Sequence, residues 1–452
     1  MGHYDVIVIG QGPAGEHCAG RLAEGGAKVA VVERELVGGE CSYWACIPSK
    51  TLLRPGEAIA QAREAPGARE AVTGELDAGQ AFAWRDFMVS DYDDSAQAKW
   101  LESEGIELLR GSGRIAGPGR VTVDGAEHTA DHVVISTGSD PAIPPVDGLD
   151  GLDGVWTNRG VTELSEVPRR MLVLGGGPVG VEMSQAVHRM GAEVALVEGG
   201  DRVLSREPRR LGEALGDALS SEGIELHLGT HAASARREGG EYVLELESGA
   251  TLRGDRLLVA TGRRPRTEGV GLETVGIEPG ERGEVPVDSR LSAGDGLWAI
   301  GDVTGVWPLT YVGKYQGRVV AANILGTGAE ASYDAVPRVV FTDPQAAAVG
   351  AAEGEVEATV ELSGVARTST YTRAYDERPG FLTVVSDRRR LTGAYALGPE
   401  AGEWLQQATL AIRAEVPLEV LHDTIQPFPT FSEAFLHALL KLGHDVPTEV
   451  AP

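Results

Sequence analysis

Residues 4–33 read YDVIVIGQGPAGEHCAGRLAEGGAKVAVVE, and the order of residue types in them decides the fold. A β-branched run over residues 4–9 stops at a glycine-rich turn, Gly10-Gln11-Gly12-Pro13-Ala14-Gly15. A helical stretch follows, and a second apolar run, Val29 to Glu33, closes the unit. In such a strand, turn, helix, strand unit Gly10 supplies the tight turn and Gly12 lets backbone approach a pyrophosphate. Gly15 lets helix and strand pack closely, and Glu33 stands where a carboxylate accepts a ribose hydroxyl. One G-x-G-x-x-G alone is weak evidence, because many glycine-rich turns match it.

The pattern returns. Met171 to Glu198 carries Gly175, Gly177 and Gly180 after one apolar run and Glu198 at the end of the next, and first glycine to acid spans 23 residues in both copies. Each copy also ends in a later apolar strand that stops at Thr-Gly, Val133 to Gly138 in the first and Leu257 to Gly262 in the second. The duplication therefore covers whole domains. Two dinucleotide sites in one chain imply one tightly held redox cofactor and one mobile hydride donor.

Composition narrows the classes of function. At 452 residues the chain is long enough for about three domains, and a net charge of -27 would repel nucleic acid and anionic membrane surfaces. The N-terminus MGHYDVIVIG lacks a basic leader, and no apolar stretch approaches the roughly 18 residues of a membrane helix, so a cytoplasmic protein is expected. Basic charge is mostly Arg, with lysines only at Lys28, Lys50, Lys99, Lys314 and Lys441, so a lysine inside a motif carries information. Cys18, Cys41 and Cys46 are the only cysteines. A close pair without a neighbouring histidine cluster points to redox chemistry rather than to a metal or a disulfide scaffold, and no metal site is expected.

Between the two copies lies Gly38-Gly-Glu-Cys41-Ser-Tyr-Trp-Ala-Cys46-Ile-Pro-Ser-Lys50. This G-G-x-C-x4-C-x-P-S-K segment resembles the pyridine nucleotide-disulfide oxidoreductases, among them dihydrolipoamide dehydrogenase, glutathione reductase and mercuric reductase. The resemblance extends through Gly301-Asp302, Leu309-Thr310, the PRVVFTDPQAAAVG stretch of residues 337–350 and Phe428-Pro-Thr-Phe-Ser-Glu433. It places the two cysteines on successive turns at the start of one helix, where the helix N-terminus favours thiolate.

The resemblance implies that Cys46 is the flavin-side thiol and Cys41 the interchange thiol, with Lys50 near the flavin and paired to Glu182, since a buried lysine needs such a partner. It implies FAD contacts at Gly10, Gly12, Pro13, Ala14, Gly15, Glu33, Arg34, Gly39, Lys50, Gly113, Thr137, Gly138, Gly301, Asp302, Leu309 and Thr310. Nicotinamide-dinucleotide contacts are implied at Gly175, Gly177, Pro178, Val179, Gly180, Glu182, Glu198 and Gly262. Glu198 favours NADH over NADPH, because a carboxylate at that strand end accepts both ribose hydroxyls and repels a 2′-phosphate; Arg202 and Arg206, read as surface charge at a helix start, leave NADPH possible. Cys18 reads as a buried packing residue.

The chain departs from the family at one catalytic position. Phe428 stands where the disulfide reductases carry the acid-base histidine that reaches across from the second subunit, and Glu433, which would orient that histidine, lacks its partner. A general acid-base contributes about 10²- to 10⁴-fold in rate, so alkyl disulfides such as glutathione become poor candidates. His422 and His437 read as helix-surface histidines. Tyr43 and Trp44, bulkier than the usual residues between the cysteines, read as packing for the helix start or as a platform for a flat substrate. The absence of further C-terminal cysteines argues against mercuric reduction.

The expected fold is α/β: two Rossmann-like three-layer dinucleotide-binding domains plus a C-terminal α+β dimerisation domain. The expected bounds are 1–150 and 267–335 for the FAD domain, 151–266 for the NAD(P) domain and 336–452 for the interface domain. The expected function is electron transfer from NADH through FAD and the cysteine pair to a small-molecule disulfide with an acidic leaving thiol, in a homodimer. A diaphorase that passes electrons to a quinone-like acceptor is the first alternative, and a redox-sensing binding module the second.

Overall fold

The computed structural model describes residues 2–371 and 380–445. Contacts divide the chain into two compact units, residues 1–49, 83–142 and 262–332 in the first and residues 50–82, 143–261 and 333–452 in the second.

The first unit is built on a sheet whose parallel strands run, in spatial order, Leu297–Ala299, Ala126–Ile135, His3–Ile9, Val29–Glu33 and Glu107–Arg110. Alternation along these strands makes two cores. Val6, Val8, Val29, Val31 and Val134 face helices that contribute Cys18, Leu22, Leu101 and Val320. Ile7, Ile9, Val32, Val133 and Ile135 face the other way, against Ile115, Val121 and Val123 of an antiparallel ribbon. The result is helix, sheet and ribbon in three layers.

The second unit repeats this plan. Its parallel strands run Glu225–Leu228, Glu193–Glu198, Arg170–Leu174 and Arg256–Val259. Met171 and Val173 face helices through Val181, Leu211, Leu215 and Leu219, whereas Leu172 and Leu174 face an antiparallel ribbon through Ala235, Leu244 and Leu252. Residues 50–82 belong to this unit because Leu52, Leu53 and Phe82 are buried in the core with Val181 and Met183.

The C-terminal part of the same unit is an antiparallel five-stranded sheet, in order Arg338–Val340, Gln345–Gly350, Leu391–Gly398, Phe381–Ser386 and Val356–Glu361. Helices carrying Trp404, Ala408, Phe435 and Leu439 cover one face. Among the described residues no helix is long and apolar enough to cross a membrane.

Candidate active site

The two glycine turns have nearly the same geometry. Gly12 caps helix α1 (Pro13–Glu24) at φ -74 and ψ -179, and Gly177 caps the helix Pro178–Arg189 at φ -75 and ψ -178, each with proline in the first helical turn. A Cβ at Gly10 would lie 2.3 Å from Ser136 O, and one at Gly15 2.1 Å from Gly10 O; in the second copy Gly175 would meet Ala260 O at 2.5 Å, and Gly180 Gly175 O at 1.9 Å. Only glycine fits these four positions.

By contrast, a Cβ at Gly12 or Gly177 would meet nothing within 4 Å. Each helix N-terminus thus opens on free space, the arrangement that receives a pyrophosphate. Beside the first turn the fully buried Gln11 carboxamide has, among the described residues, no hydrogen-bond partner for its nitrogen or its oxygen, which leaves capacity for a bound group. The residues present therefore fit two dinucleotides.

The two acids are held alike. Glu33 accepts from Gln11 N and Glu35 N, both at 2.8 Å, and Glu198 accepts from Gly176 N at 2.6 Å and Gly200 N at 2.8 Å. Arg202 is not the surface residue at a helix start that its sequence context suggests. Its side chain is 15% exposed, and its guanidinium donates to Asp201, Ser205 O and Glu207 O, bracing the turn. Arg206 is exposed.

Other positions named from sequence gather in the first unit. Asp302, after Gly301 at φ +77, accepts from Ser139 Oγ at 2.6 Å, and Arg263 donates to the same hydroxyl at 2.7 Å. Thr137 Oγ1 donates to Arg266 O at 2.6 Å, and Gly138 has φ +75. Gly113 opens a strand where a Cβ would press the Ile9 and Val32 side chains at 3.0 Å, so a larger residue there would have to push them aside. Gly262 has φ +136, Arg34 is exposed, and Val179 is 36% exposed.

The cysteines occupy two helices, not one. Gly38 and Gly39, both at positive φ, start the short α2 (Gly39–Tyr43), where a Cβ on Gly39 would lie 2.8 Å from Gly12 Cα. Cys41 lies in α2, the chain breaks at Trp44, and Cys46 is the first residue of α3 (Cys46–Glu64). The break follows from where the bulky residues go. Tyr43 and Trp44 are 1% and 8% exposed, and their rings lie 6.4 and 6.1 Å from that of Tyr92. Tyr92 is delivered by Ser90, Asp91 and Tyr92 itself, all at φ between 50 and 60, a left-handed turn that costs about 1–2 kcal/mol per residue. Just beyond it Asp94 accepts from Val37 N at 2.7 Å, and Val37 O accepts from Tyr43 Oη at 3.1 Å. Residues 90–94 thereby clasp the redox segment at both ends.

The three cysteines are free thiols. Cys46 Sγ lies 3.3 Å from Thr310 Oγ1, on the helix Thr310–Ile324 whose preceding residue is Leu309. Cys41 is raised above the usual thiol range, first by the hydrogen bond it shares with Cys46, then by burial and by charge on Cys46; Thr310 and Lys314 pull the other way. Cys18 is fully buried and pushed up to about 12 by desolvation, so it is an inert packing residue.

In the second unit Lys50 Nζ lies 2.7 Å from Glu182 Oε2, with the lysine 36% and the carboxylate 6% exposed. Glu182 Oε1 accepts from Phe341 N at 2.9 Å, and the Lys50 ammonium stands 4.7 Å from the Phe341 ring centroid. Phe341 therefore holds both members of the ion pair. Glu433 begins the last helix; its Oε1 lies 3.8 Å from His437 Nε2, one turn on, and its buried Oε2 has no hydrogen-bond partner among the described residues. His422 is committed to Leu439 O at 2.8 Å, and Phe428 is 73% exposed. Among the described residues no three His, Cys, Asp or Glu side chains gather as a metal site.

Sequence reasoning missed Lys314, whose signal was its rarity, and Tyr92, which carried no signal. Left-handed turns usually announce themselves through glycine or asparagine.

Comparison with known proteins places this geometry. Residues 4–317 match the pyridine nucleotide-disulphide oxidoreductase family, and residues 336–439 match the dimerisation domain of that family. The chain is 37% identical to a dihydrolipoyl dehydrogenase of Thermus scotoductus over 97% of both chains. It is 33% identical to a mercuric reductase of Staphylococcus aureus, over 98% of this chain and 83% of that one. Among solved structures it resembles the copper(II) complex of the HOCl-induced flavoprotein disulfide reductase RclA from Escherichia coli, with TM-score 0.86, 27% identity and coverage of 98% and 100%. LpdA from Mycobacterium tuberculosis matches with TM-score 0.85, 27% identity and the same coverage. Two dinucleotide cradles of one geometry, a thiol pair spanning the break between two helices and a match across nearly the full length make this chain a member of the FAD-dependent pyridine nucleotide-disulphide oxidoreductase family, with NAD(P)H as electron donor.

Proposed function

We propose that this protein is an NADH-dependent reductase of small disulfides whose leaving thiol is already acidic, working as a homodimer. The observation that carries the reading is a pair of thiols held within hydrogen-bonding reach of each other, and it is supported by the family resemblance, which puts Phe428 where the acid-base histidine would stand.

Bound FAD would supply the two-electron chemistry that links the nicotinamide to the cysteine pair. Gly10 to Gly15, Glu33, Gly39, Gly301 and Asp302 are the residues that would hold it, and Gly175 to Gly180 with Glu198 would hold NADH. Arg202 is tied into its own turn, which supports NADH over NADPH. The Lys50 and Glu182 pair fixes a cation one turn along α3 from Cys46.

In the exchange step Cys41 passes its proton to Cys46 and attacks one sulfur of the substrate. The substrate S–S bond breaks, one thiolate leaves with the bonding electron pair, and a mixed disulfide forms on Cys41. Cys46 then loses its proton to solvent and attacks the Cys41 sulfur, releasing the second thiolate and closing the Cys41–Cys46 disulfide. Two electrons have moved from the dithiol to the substrate. An acidic thiol leaves as thiolate and requires no proton at that moment, so the missing imidazole costs little.

Steady-state assays with 4,4′-dithiodipyridine and with glutathione disulfide test this. The heteroaryl disulfide should have the higher kcat/KM by about 10²-fold or more, the share that an acid-base group contributes; equal values sink the reading.

A second acceptor class is favoured by the mercuric reductase relative and the copper(II) complex of RclA. A soft metal ion taken by the two thiolates would also need no proton. Cysteine-dependent NADH oxidation with copper(II), exceeding that with any disulfide, would make it the leading reading.

A further inference from the structure

The helix Pro178–Arg189, whose N-terminus opens on the second dinucleotide cradle, carries Glu182, Gln185 and Arg189 at spacings of three and four, so the three share one face. All three are withdrawn from water: Glu182 and Gln185 are 5% and 1% exposed, and the Arg189 side chain 11%. Each of them grips the same short segment, residues 341–343. Glu182 Oε1 accepts from Phe341 N at 2.9 Å. Gln185 accepts from Asp343 N and donates to Asp343 O, both at 2.8 Å. Arg189 donates to Asp343 Oδ2 at 2.9 Å and to Asp343 O at 3.3 Å. Residues 341–343 are thereby laid along the helix face and tied to it at both ends.

The guanidinium is itself held from a second side. Glu222 accepts from Arg189 Nε at 3.1 Å and from Arg189 Nη2 at 2.7 Å, a two-pronged pair, and from Gln185 Nε2 at 3.0 Å. Glu222 and Asp343 are only 13% and 17% exposed, so without Arg189 two poorly hydrated carboxylates would be left together with no cation between them. Helix α3 rests on the same side chain, since a Cβ at Gly56 would lie 2.9 Å from Arg189 Cβ and 3.0 Å from its Cδ. Lys50 lies six residues earlier on α3 and pairs with Glu182. Arg189 therefore bears on the Lys50 and Glu182 pair by two routes. One runs through α3; the other runs through Asp343 to Phe341, whose N–H holds Glu182 and whose ring faces the ammonium at 4.7 Å.

We propose that Arg189 and Asp343 are positioning residues for electron entry: they fix residues 341–343 so that Phe341 holds the Glu182 carboxylate and the Lys50 ammonium in place for flavin reduction. This rests on the assignment of Lys50 and Glu182 to that step. Phe341 and Asp343 lie within residues 336–439, the match to the dimerisation domain, so that domain serves electron entry as well as assembly of the dimer.

Stopped-flow reduction of the FAD-loaded protein by NADH tests the relay through its order of action. Arg189→Met should slow flavin reduction by about fivefold, within the reach of residues that act on a site through packed neighbours, and Arg189→Lys, which keeps the charge, should recover part of the rate. Because the relay acts through Glu182, adding Arg189→Met to Glu182→Gln should slow reduction by no more than about a further twofold. A merely structural loss would multiply the two effects, since independent perturbations add in free energy.

Amide hydrogen exchange reads the same contact without turnover. A hydrogen bond to a carboxylate is worth a factor of about ten or more, so the Phe341 amide should exchange about tenfold faster in Arg189→Met than in wild type. A reduction rate or a Phe341 exchange rate within about twofold of wild type overturns the relay, as does full multiplication of the effects in the double variant. If Arg189→Met does not fold, Asp343→Asn weakens the same charged contact and should move both readouts in the same direction. If Glu182→Gln reduces at the wild-type rate, the reading of Lys50 and Glu182 fails and takes the relay's part in electron entry with it, while the Phe341 amide still shows whether Arg189 holds residues 341–343.

Discussion

Replacing Glu182 by Gln removes the charge that faces Lys50 while keeping an acceptor for Phe341 N. At 2.7 Å and an effective dielectric of about 20, the attraction between the two charges is about 6 kcal/mol before desolvation. Burial of a carboxylate that is only 6% exposed offsets most of this, and water at a lysine that is 36% exposed screens part of the rest. The net cost of the substitution is therefore about 2 kcal/mol, below the range for removing one partner of a fully buried pair. Released from Glu182, the ammonium keeps only the Phe341 ring, a contact of about 1 kcal/mol. It then samples other positions, and if most of the loss is felt in the barrier, flavin reduction slows by about 10- to 30-fold at 1.4 kcal/mol per factor of ten. Stopped-flow mixing with NADH, followed at the flavin absorbance, reads this step directly, and a urea midpoint at fixed protein concentration reads the stability. A Gln variant that reduces at the wild-type rate would refute the assignment of Lys50 and Glu182 to the electron-transfer step, whatever its stability.

Under the proposed reading, in which Phe428 stands at the acid-base position, Phe428→His should raise kcat/KM for glutathione disulfide by at least about tenfold and leave 4,4′-dithiodipyridine nearly unchanged, since a proton donor helps only a basic leaving thiol; an equal gain on both would contradict the leaving-group argument. Tyr92→Ala removes the ring against which Tyr43 and Trp44 pack and should cost about 1–2 kcal/mol with a lowered Tm, whereas Tyr92→Phe should keep both. A Tyr92→Ala protein as stable as wild type would mean that the left-handed turn does not clasp the redox segment. The Tyr43 hydroxyl is pushed up to about 12, first by burial and then by Asp94 and Asp93. Its folded pKa lies above the unfolded value of about 10, so its contribution is full below pH 10 and is lost as pH rises through 12. Wild type should therefore lose stability more steeply than Tyr43→Phe over that window, and parallel curves would show that the hydroxyl is not desolvated.

What could be read before the structure was whatever is local in sequence. Gly10, Gly15, Gly175 and Gly180 are dictated by backbone contacts within one strand-turn-helix unit, so their spacing alone announced two Rossmann-like domains. The pairing of Lys50 with Glu182 crosses 132 residues and was reached only through the family resemblance. The rest depended on packing between distant segments. Helix Thr310–Ile324 closes on α1 because Gly313 and Gly317 leave room for Ala14, which no local pattern encodes. The helix break at Trp44 arises because Tyr43 and Trp44 are drawn toward Tyr92, and Arg202 read as a surface charge until its turn showed three backbone and side-chain acceptors around it. Glu433 was expected to stand without its usual histidine; the nearby imidazole is His437, one helical turn further on.

The central claim is that electrons reach the Cys41 and Cys46 pair. An anaerobic titration of the FAD-loaded protein with NADH, with long-wavelength absorbance recorded and free thiols counted, tests it most directly. If electrons reach the pair, a charge-transfer band appears together with two new thiols, and the band is lost in Cys46→Ser. Bleaching of the flavin with no such band and no new thiols would contradict it, and would show that the cysteine pair is bypassed.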